Sequence, residues 1–222
     1  MRYTISGELA QVANLELDKS ETCWTSKGSI IALDPGLGWT LKVPGGAGGA
    51  ARRMMSGEGV ALTFISASAD GQRATLAANQ PGKIIAWSLD DGPVITTRGS
   101  FVAAFGPRID IDVRVAKRTG AAFFGGAGFF LQSISGNGTV LIHGSGDFIE
   151  RDLGEGEAVL VSTGNLAAFA ESVDYDIQGV SGCRRVAFGG EGLFMTRLNG
   201  PGRVLLQSLK RTTPGRGPRH RS

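Results

Sequence analysis

The sequence predicts an all-β fold, and three features of the chain carry this prediction. Glycine accounts for 35 of the 222 residues and proline for only 8, which is typical of many tight turns between short strands. Charged and β-branched residues alternate strictly along Arg108–Val115, as in a strand with one face on a core and one in water. Related segments also recur along the chain, so we expect a repeated β-unit.

Three related segments align with one another without gaps. They are residues 30–41, 102–113 and 166–177, and we call the steps from 30 to 102 and from 102 to 166 the first and second repeat offsets. A glycine that precedes an apolar strand recurs at Gly59, Gly128 and Gly192, and the step from Gly128 to Gly192 equals the second repeat offset. Two independent markers in the same register predict three internal structural repeats.

The order of these markers predicts how the repeats close. Residues 1–43 hold only the second half of a unit, and residues 190–208 hold only the first half. Two complete units lie between them. We therefore expect the two termini to meet and to build the third unit together, so that the fold closes on itself.

Individual strands follow from local patterns. The segment Gly189–Ser208 predicts a hairpin, because the turn Asn199–Gly202 separates two apolar strands. Thr139–Ile142 and Ala158–Val161 are continuous apolar runs, which predicts strands buried on both faces. The 41% hydrophobic content of a chain this long predicts a folded body with a sizeable core.

A resemblance to a known family rests on three motifs. Residues 190–208 read Gly-Glu-Gly-Leu-Phe-Met-Thr-Arg-Leu-Asn-Gly-Pro-Gly-Arg-Val-Leu-Leu-Gln-Ser; Gly57–Gly59 follows Arg52–Arg53, and Leu153–Glu157 reads Leu-Gly-Glu-Gly-Glu. Over about residues 10–208 the chain resembles the bacterial branch of the mitochondrial-biogenesis family named for altered inheritance of mitochondria, member twenty-four. That resemblance implies a fold similar to the tryptophan RNA-binding attenuator protein (TRAP), a short double-stranded β-helix present three times in one chain. It implies no established reaction.

Charge divides the chain into a body and a tail. The net charge is +3, but residues 1–209 carry 18 basic and 20 acidic residues. We expect residues 1–209 to form one three-repeat β domain and residues 210–222 to form a disordered basic tail. The tail residues that could contact RNA or an anionic membrane are Lys210, Arg211, Arg216, Arg219 and Arg221. The alternative is a solvated end without a partner.

Candidate catalytic and metal sites are few. The chain has two histidines, His143 beside Gly144 and His220 in the tail, so we expect no bound metal and no cofactor. His143 is predicted to be a turn or surface residue, and no Gly-x-Ser-x-Gly motif surrounds a serine. The carboxylate pairs are expected on the solvent faces of their strands, where they would support solubility; they are Asp110 with Asp112 and Asp174 with Asp176.

The sequence allows more than one interpretation of two glycine- and phenylalanine-rich segments and of the two cysteines. Gly45–Arg53 is predicted to be a connection between units, with an oligomer contact, a membrane-touching loop or a phosphate cradle as alternatives. Phe123–Phe130 is predicted to be a core hairpin or a subunit interface. Cys23 and Cys183 are expected to be reduced thiols unless the fold brings them together. With no apolar segment typical of a signal peptide or transmembrane helix, we expect a cytoplasmic protein.

These observations favour a non-enzymatic, homo-oligomeric binding or scaffold protein. The alternative is an RNA- or nucleotide-binding protein that uses the basic tail and an attenuator-like fold, although the body lacks a stripe of basic residues. A third hypothesis is an enzyme whose site lies between subunits.

Overall fold

The structure is a computed structural model that describes residues 1–44, 61–115, 118–119, 130–179 and 194–211, and all structural statements below refer to these residues. The fold is all-β, with two short 3-10 turns at Leu89–Asp91 and Thr163–Asn165. The eighteen strands found among the described residues are β1 (Arg2–Ser6), β2 (Val12–Leu17), β3 (Thr22–Thr25), β4 (Ile30–Leu33), β5 (Gly38–Lys42), β6 (Leu62–Ser66), β7 (Gln72–Ala77), β8 (Gly82–Ser88), β9 (Val94–Thr97), β10 (Phe101–Val115), β11 (Arg118–Thr119), β12 (Phe130–Ser145), β13 (Phe148–Leu153), β14 (Ala158–Ser162), β15 (Leu166–Ala170), β16 (Asp174–Gly179), β17 (Phe194–Asn199) and β18 (Gly202–Gln207).

The strands form three sheets. A four-stranded sheet has the order β1-β2-β7-β4, and another has the order β11-β16-β17-β14. The third sheet is ten-stranded and runs β13-β18-β15-β9-β12-β10-β3-β6-β5, with β8 added beside β12. The long strands β10 and β12 pair along most of their length, with a register shift between Phe105 and Arg108. Strands β10 and β12 therefore connect strands that lie far apart in the sequence.

Apolar residues from successive sheets form three clusters. Leu15 and Leu76 of the first four-stranded sheet pack with Ile65 and Leu141 of the ten-stranded sheet. Tyr175 and Leu198 of the other four-stranded sheet belong to a second mixed cluster. Apart from Leu89, all the buried members of the third cluster lie in the ten-stranded sheet, so this sheet packs against itself. Burial of these faces is the main stabilising contribution to the fold.

The pairing pattern recurs with the spacing of the sequence markers. Strands β4, β10 and β15 pair with β7, β12 and β18, and each pair has one register shift within its first three residues. Three further cross-strand partners are Trp39 with Ile65, Ile111 with Ile134, and Tyr175 with Leu198. Their first members are separated by the two repeat offsets.

The predicted hairpin at Gly189–Ser208 is wrong. Strands β17 and β18 follow each other across Asn199–Gly202, yet they do not pair with each other. Strand β17 lies between β14 and β16, whereas β18 lies between β13 and β15. Both edges of each strand are occupied by other strands, so the turn crosses between two packed sheets. Strands β6 and β7 are arranged in the same way.

The predicted closure by pairing of the two termini is also wrong. None of the described strands in residues 2–42 pairs with a strand in residues 194–207. The N-terminal strands β2 and β4 pair with β7, and β3 and β5 pair with β6. The half-unit at the N-terminus is therefore completed by the strands that follow it in sequence, and the half-unit at residues 194–207 by those that precede it.

Two of the predicted strands are confirmed in their burial. Val140, Leu141 and Ile142 are fully buried, as expected for a strand covered on both faces. Along β10, Ile111 and Val113 are buried whereas Arg108 and Arg114 are exposed, so the alternation predicted there is correct. The described residues also contain no helix that is long and apolar enough to span a membrane.

Candidate functional site

Strands β4 and β14 are apolar strands at the edges of their sheets. Among the described strands, β4 pairs only with β7 and β14 pairs only with β17. The prediction that Ala158–Val161 is buried on both faces is therefore wrong, because Leu160 is 55% exposed at a sheet edge. Natural proteins usually protect exposed edges with charges, proline or bulges. The pairing of β4 with β7 has a register shift between Ile30 and Ala32, but the segments 31–33 and 159–161 contain no charged residue and no proline, which indicates two sites for strand addition.

In the described part of the chain, the exposed large apolar side chains fall into two groups, one within residues 3–41 and one within residues 149–209. The first group is Tyr3, Leu9, Ile31, Trp39 and Leu41, and the second group is Ile149, Leu160 and Leu209. Within the described residues from 61 to 148, no large apolar side chain is exposed in this way. Ile31 on β4 and Leu160 on β14 lie at sheet edges, where exposed apolar residues can contribute to an interaction surface.

Related positions in the middle of the chain are buried. Trp39 is 62% exposed, whereas the equivalent residues of the later repeats, Ile111 and Tyr175, are only 5% and 8% exposed. Ile31 is 59% exposed, and the residues at the same offsets from it, Ala103 and Ala167, are fully buried. The first strands of the chain thus expose apolar residues at positions that are buried in the later repeats.

A second feature is a polar cluster around Arg211. Its guanidinium donates five hydrogen bonds, all to neutral acceptors. The acceptors are Gln80 Oε1 at 3.3 Å, Arg98 O at 3.3 Å, Ser100 Oγ at 2.6 Å, His143 Nδ1 at 2.8 Å and Ser145 Oγ at 3.2 Å. All five N–H groups of the side chain are therefore used. Burial lowers the pKa of Arg211 to about 10, which leaves it charged at neutral pH.

His143 lies in the interior on β12, so its prediction as a turn or surface residue is wrong. Its side chain is 1% exposed, and its backbone N–H donates to Ser100 O at 2.7 Å. Because Arg211 can only donate, Nδ1 accepts and the imidazole is neutral. Nε2 is buried and has no hydrogen-bond partner among the described residues. Burial, and secondarily the charge of Arg211, lowers the pKa of His143 to about 4.

We expect stability to fall between pH 6.5 and pH 4 because of His143. The unfolded state takes up a proton near pH 6.5, whereas the folded state resists it until about pH 4. The contribution of His143 is therefore complete above pH 6.5 and is lost as the pH falls. At about 1.4 kcal/mol per pKa unit, the loss between pH 7.5 and pH 5.0 is about 2 kcal/mol. Urea unfolding of wild type and His143→Gln at both pH values measures it, and an equal pH response in the two proteins would contradict it.

The basic residues at 210–222 fall into two groups. Arg211 is directed into the cluster, so the ordered chain extends beyond the predicted boundary at residue 209 and this guanidinium is engaged within the protein. Lys210 is exposed. Arg216, Arg219 and Arg221 lie outside the described residues, and their predicted contact with an anionic partner stays a prediction.

The other predicted site residues are not brought together. Asp110 and Asp174 are exposed, while Asp112 and Asp176 are half-buried. Cys23 is fully buried, and burial raises the pKa of its thiol to about 12. Three predictions fall outside the described residues, namely Cys183, Gly45–Arg53 and Phe123–Phe130 apart from Phe130 at the start of β12. No three His, Cys, Asp or Glu side chains converge on a metal-sized site in the described part of the chain.

Sequence reasoning missed both edge strands and the cluster around Arg211. Comparison of related positions could have identified the edges. Ile31 and Leu160 are large apolar residues, and the equivalent positions in the other repeats lie in strands that pair on both sides. The cluster had no such signal. Ser100, His143 and Arg211 are far apart in sequence, and only the fold brings them together.

Comparison with known proteins places the chain in a family. A family model described as Mitochondrial biogenesis AIM24 matches residues 3–209. An uncharacterized protein of Streptococcus pyogenes serotype M6 is 27% identical over 187 residues, which is 80% of this chain and 73% of that protein. A crystal structure of a Streptococcus pyogenes protein has a TM-score of 0.78 and 25% identity, and the match covers 94% of both chains. The resemblance found in the sequence is confirmed, and the protein belongs to the Mitochondrial biogenesis AIM24 family.

Proposed function

We propose that this protein is a non-enzymatic scaffold whose copies assemble head to tail, with β14 of one copy pairing with β4 of the next. The observation that carries the proposal is the distribution of exposed large apolar residues, which fall within residues 3–41 and 149–209 and not in the described residues from 61 to 148. An assembly that pairs β4 with β14 would cover the members of the two groups that lie on these edge strands, Ile31 and Leu160.

The proposal includes three structural repeats that are similar to the attenuator protein, each a short double-stranded β-helix. Support comes from the register shifts shared by β4–β7, β10–β12 and β15–β18. Further support comes from the two repeat offsets, which relate the first strand of each pair, as at Ala32, Ala104 and Ala168. In this proposal the units are contiguous in sequence and cover residues 10–77, 82–145 and 148–207.

Contacts between neighbouring units supply the template for the assembly. Strand β3 pairs with β10 so that Trp24 lies opposite Ala104. Strand β9 pairs with β15 so that Thr96 lies opposite Ala168. Between these two contacts, the first residue moves from Trp24 to Thr96, which is the first repeat offset. The second residue moves from Ala104 to Ala168, which is the second repeat offset, as expected for equivalent contacts. The next contact in this series would pair β14 with a β4 strand, with Leu160 opposite Ala32.

The two edges are complementary in chemistry. Val159, Leu160 and Val161 would face residues 31–33, which are also apolar. Pairing would satisfy backbone N–H and C=O groups on both edges and remove apolar side chains from water. Trp39 and Leu41 lie on β5, the strand that follows β4 in sequence, and are also exposed in the single chain. Such a contact joins two different surfaces, so it produces a ring if the rotation closes and a filament if it does not.

The scaffold proposal is preferred to an RNA- or nucleotide-binding role. That alternative relied on the basic residues of the tail, and Arg211 now donates all its hydrogen bonds within the protein. A cytoplasmic setting is part of the proposal and is supported by Cys23, a buried thiol. His143 is buried and hydrogen-bonded to Arg211, which does not favour a role in proton transfer with a substrate.

Sedimentation velocity of the full chain over a wide concentration range tests the proposal. The chain mass is 23.1 kDa, and we expect species at multiples of this mass. A single monomeric species at every concentration, in protein shown to be folded by circular dichroism, would contradict it.

A further inference from the structure

Successive units are also joined by backbone hydrogen bonds near their first strands. Gly82 N–H donates to Leu9 O at 2.8 Å, and Gly146 N–H donates to Pro81 O at 3.3 Å. Leu9 and Pro81 are separated by the first repeat offset, and Gly82 and Gly146 by the second. In both joints, a residue at or just before the start of one unit donates to the residue that precedes the equivalent position in the preceding unit.

A third joint of this kind is made by the C-terminal segment. Leu209 N–H donates to Ser145 O at 3.1 Å, and Ser145 follows Pro81 by the second repeat offset. The adjacent Asp147 N–H donates to Ser208 Oγ at 2.9 Å, and Ser208 N–H donates to Asp147 O at 2.9 Å. Residues 208–211, the C-terminal cap, therefore occupy the position in which the first residues of a following unit would lie.

Arg211 fixes the cap to the rest of the protein. Its backbone N–H donates to Gly164 O at 2.9 Å, close to the end of β14. Its guanidinium extends back to the loop before β10 and to His143 on β12 through the bonds described above. The side chain of Arg211 thus holds the cap to residues 80–145, and its backbone N–H holds the cap to Gly164 in the third unit.

We infer that the C-terminal cap occupies a binding site for the Leu9–Gln11 segment of a second copy. The inference depends on the proposed head-to-tail assembly, in which the second copy supplies the following unit. Its Ala10 N–H would then donate to Ser145 O in place of Leu209 N–H. Leu9 is 85% exposed and Leu209 is 57% exposed, so the incoming segment is accessible and the cap residue it replaces is only partly covered. The cap and the second copy compete, and the cap limits assembly.

The test measures the site without self-assembly. Ile31→Lys blocks the β4 end of every copy but leaves the capped end unchanged. In this background, a fluorescent peptide of residues 6–14 is titrated against the otherwise unchanged protein, Arg211→Ala and Arg151→Ala. We expect Arg211→Ala, which releases the cap, to bind the peptide at least tenfold more tightly. Arg151→Ala removes an exposed guanidinium outside the cap and is the matched control, with an affinity equal to that of the otherwise unchanged protein. Thermal melting establishes that each variant is folded.

A chain that ends at Lys210 serves as a second variant without the Arg211 side chain, should Arg211→Ala fail to fold. Equal peptide affinity in capped and uncapped proteins would overturn the inference, and so would an absence of peptide binding.

The experiments distinguish a failure of the cap inference from a failure of the scaffold proposal. Peptide binding in the uncapped protein with no assembly of the wild type would contradict the scaffold alone. Assembly of the wild type with no effect of the cap would contradict the cap alone.

Discussion

Leu160→Lys should convert the assembled protein into monomers. The substitution places an ammonium group at the centre of the proposed β14–β4 contact, opposite Ala32 and among apolar residues. Burying an unpaired charge in such a contact costs several kcal/mol. About 3 kcal/mol corresponds to a roughly 100-fold weaker association. Because Leu160 is already 55% exposed in the single chain, folding should be almost unaffected.

Sedimentation velocity over a concentration series measures this association, and urea unfolding checks the stability of the variant. Asn137→Lys is the matched control, since it adds the same charge at an exposed position in the middle of the chain. We expect Asn137→Lys to assemble like the wild type. If Leu160→Lys retains wild-type assembly, β14 is not at the interface.

Gly82→Ala should cause a large loss of stability. Gly82 begins β8 at the joint between the first two units and has φ +154°, a conformation that disfavours other residues. An added Cβ would lie 2.0 Å from Gly144 O and 2.7 Å from His143 Nε2. The backbone oxygen cannot move aside without disturbing β12. Backbone strain and overpacking together predict a loss of about 3 kcal/mol or more.

Urea unfolding of Gly82→Ala and Gly92→Ala separates these two causes. Gly92 also has a positive φ, +108°, but apart from its own two chain neighbours no described residue lies within 4 Å of its added Cβ. Gly92→Ala should therefore lose only the strain contribution, about 1–2 kcal/mol. Similar losses in the two variants would show that close approach of the backbone at Gly82 is unimportant.

Much of the fold could be predicted from local and repeated sequence patterns. Strict alternation along Arg108–Val115 identified a strand with one buried face, and the gapless segments 30–41, 102–113 and 166–177 identified strands that pair in related registers. The pairing partners could not be predicted in the same way. Turn residues at Asn199–Gly202 are compatible with a hairpin and with a crossing between sheets, and the difference is decided by which strands occupy the edges of β17 and β18.

The candidate sites, like the strand partners, could be predicted only in part from the sequence. Apolar runs such as Ala158–Val161 indicate burial, but they do not distinguish burial within one chain from burial between two copies. His143 has a glycine-rich local sequence typical of a turn, yet pairing of β12 with β8 places it in the interior. The sequence places Arg211 in a basic tail because its neighbours are polar. Its acceptors come from residues 80–145, and sequence spacing carries no information about that contact.

Mixing two assembly-deficient variants tests the head-to-tail account most directly. Leu160→Lys has a blocked β14 and an intact β4, whereas Ala32→Lys has an intact β14 and a blocked β4. Each variant alone should be a monomer of 23.1 kDa. Together they can form one wild-type contact and no more, so native mass spectrometry should detect a 1:1 dimer that grows no further. Homodimers of either variant alone, or an unchanged mixture of monomers, would contradict the account.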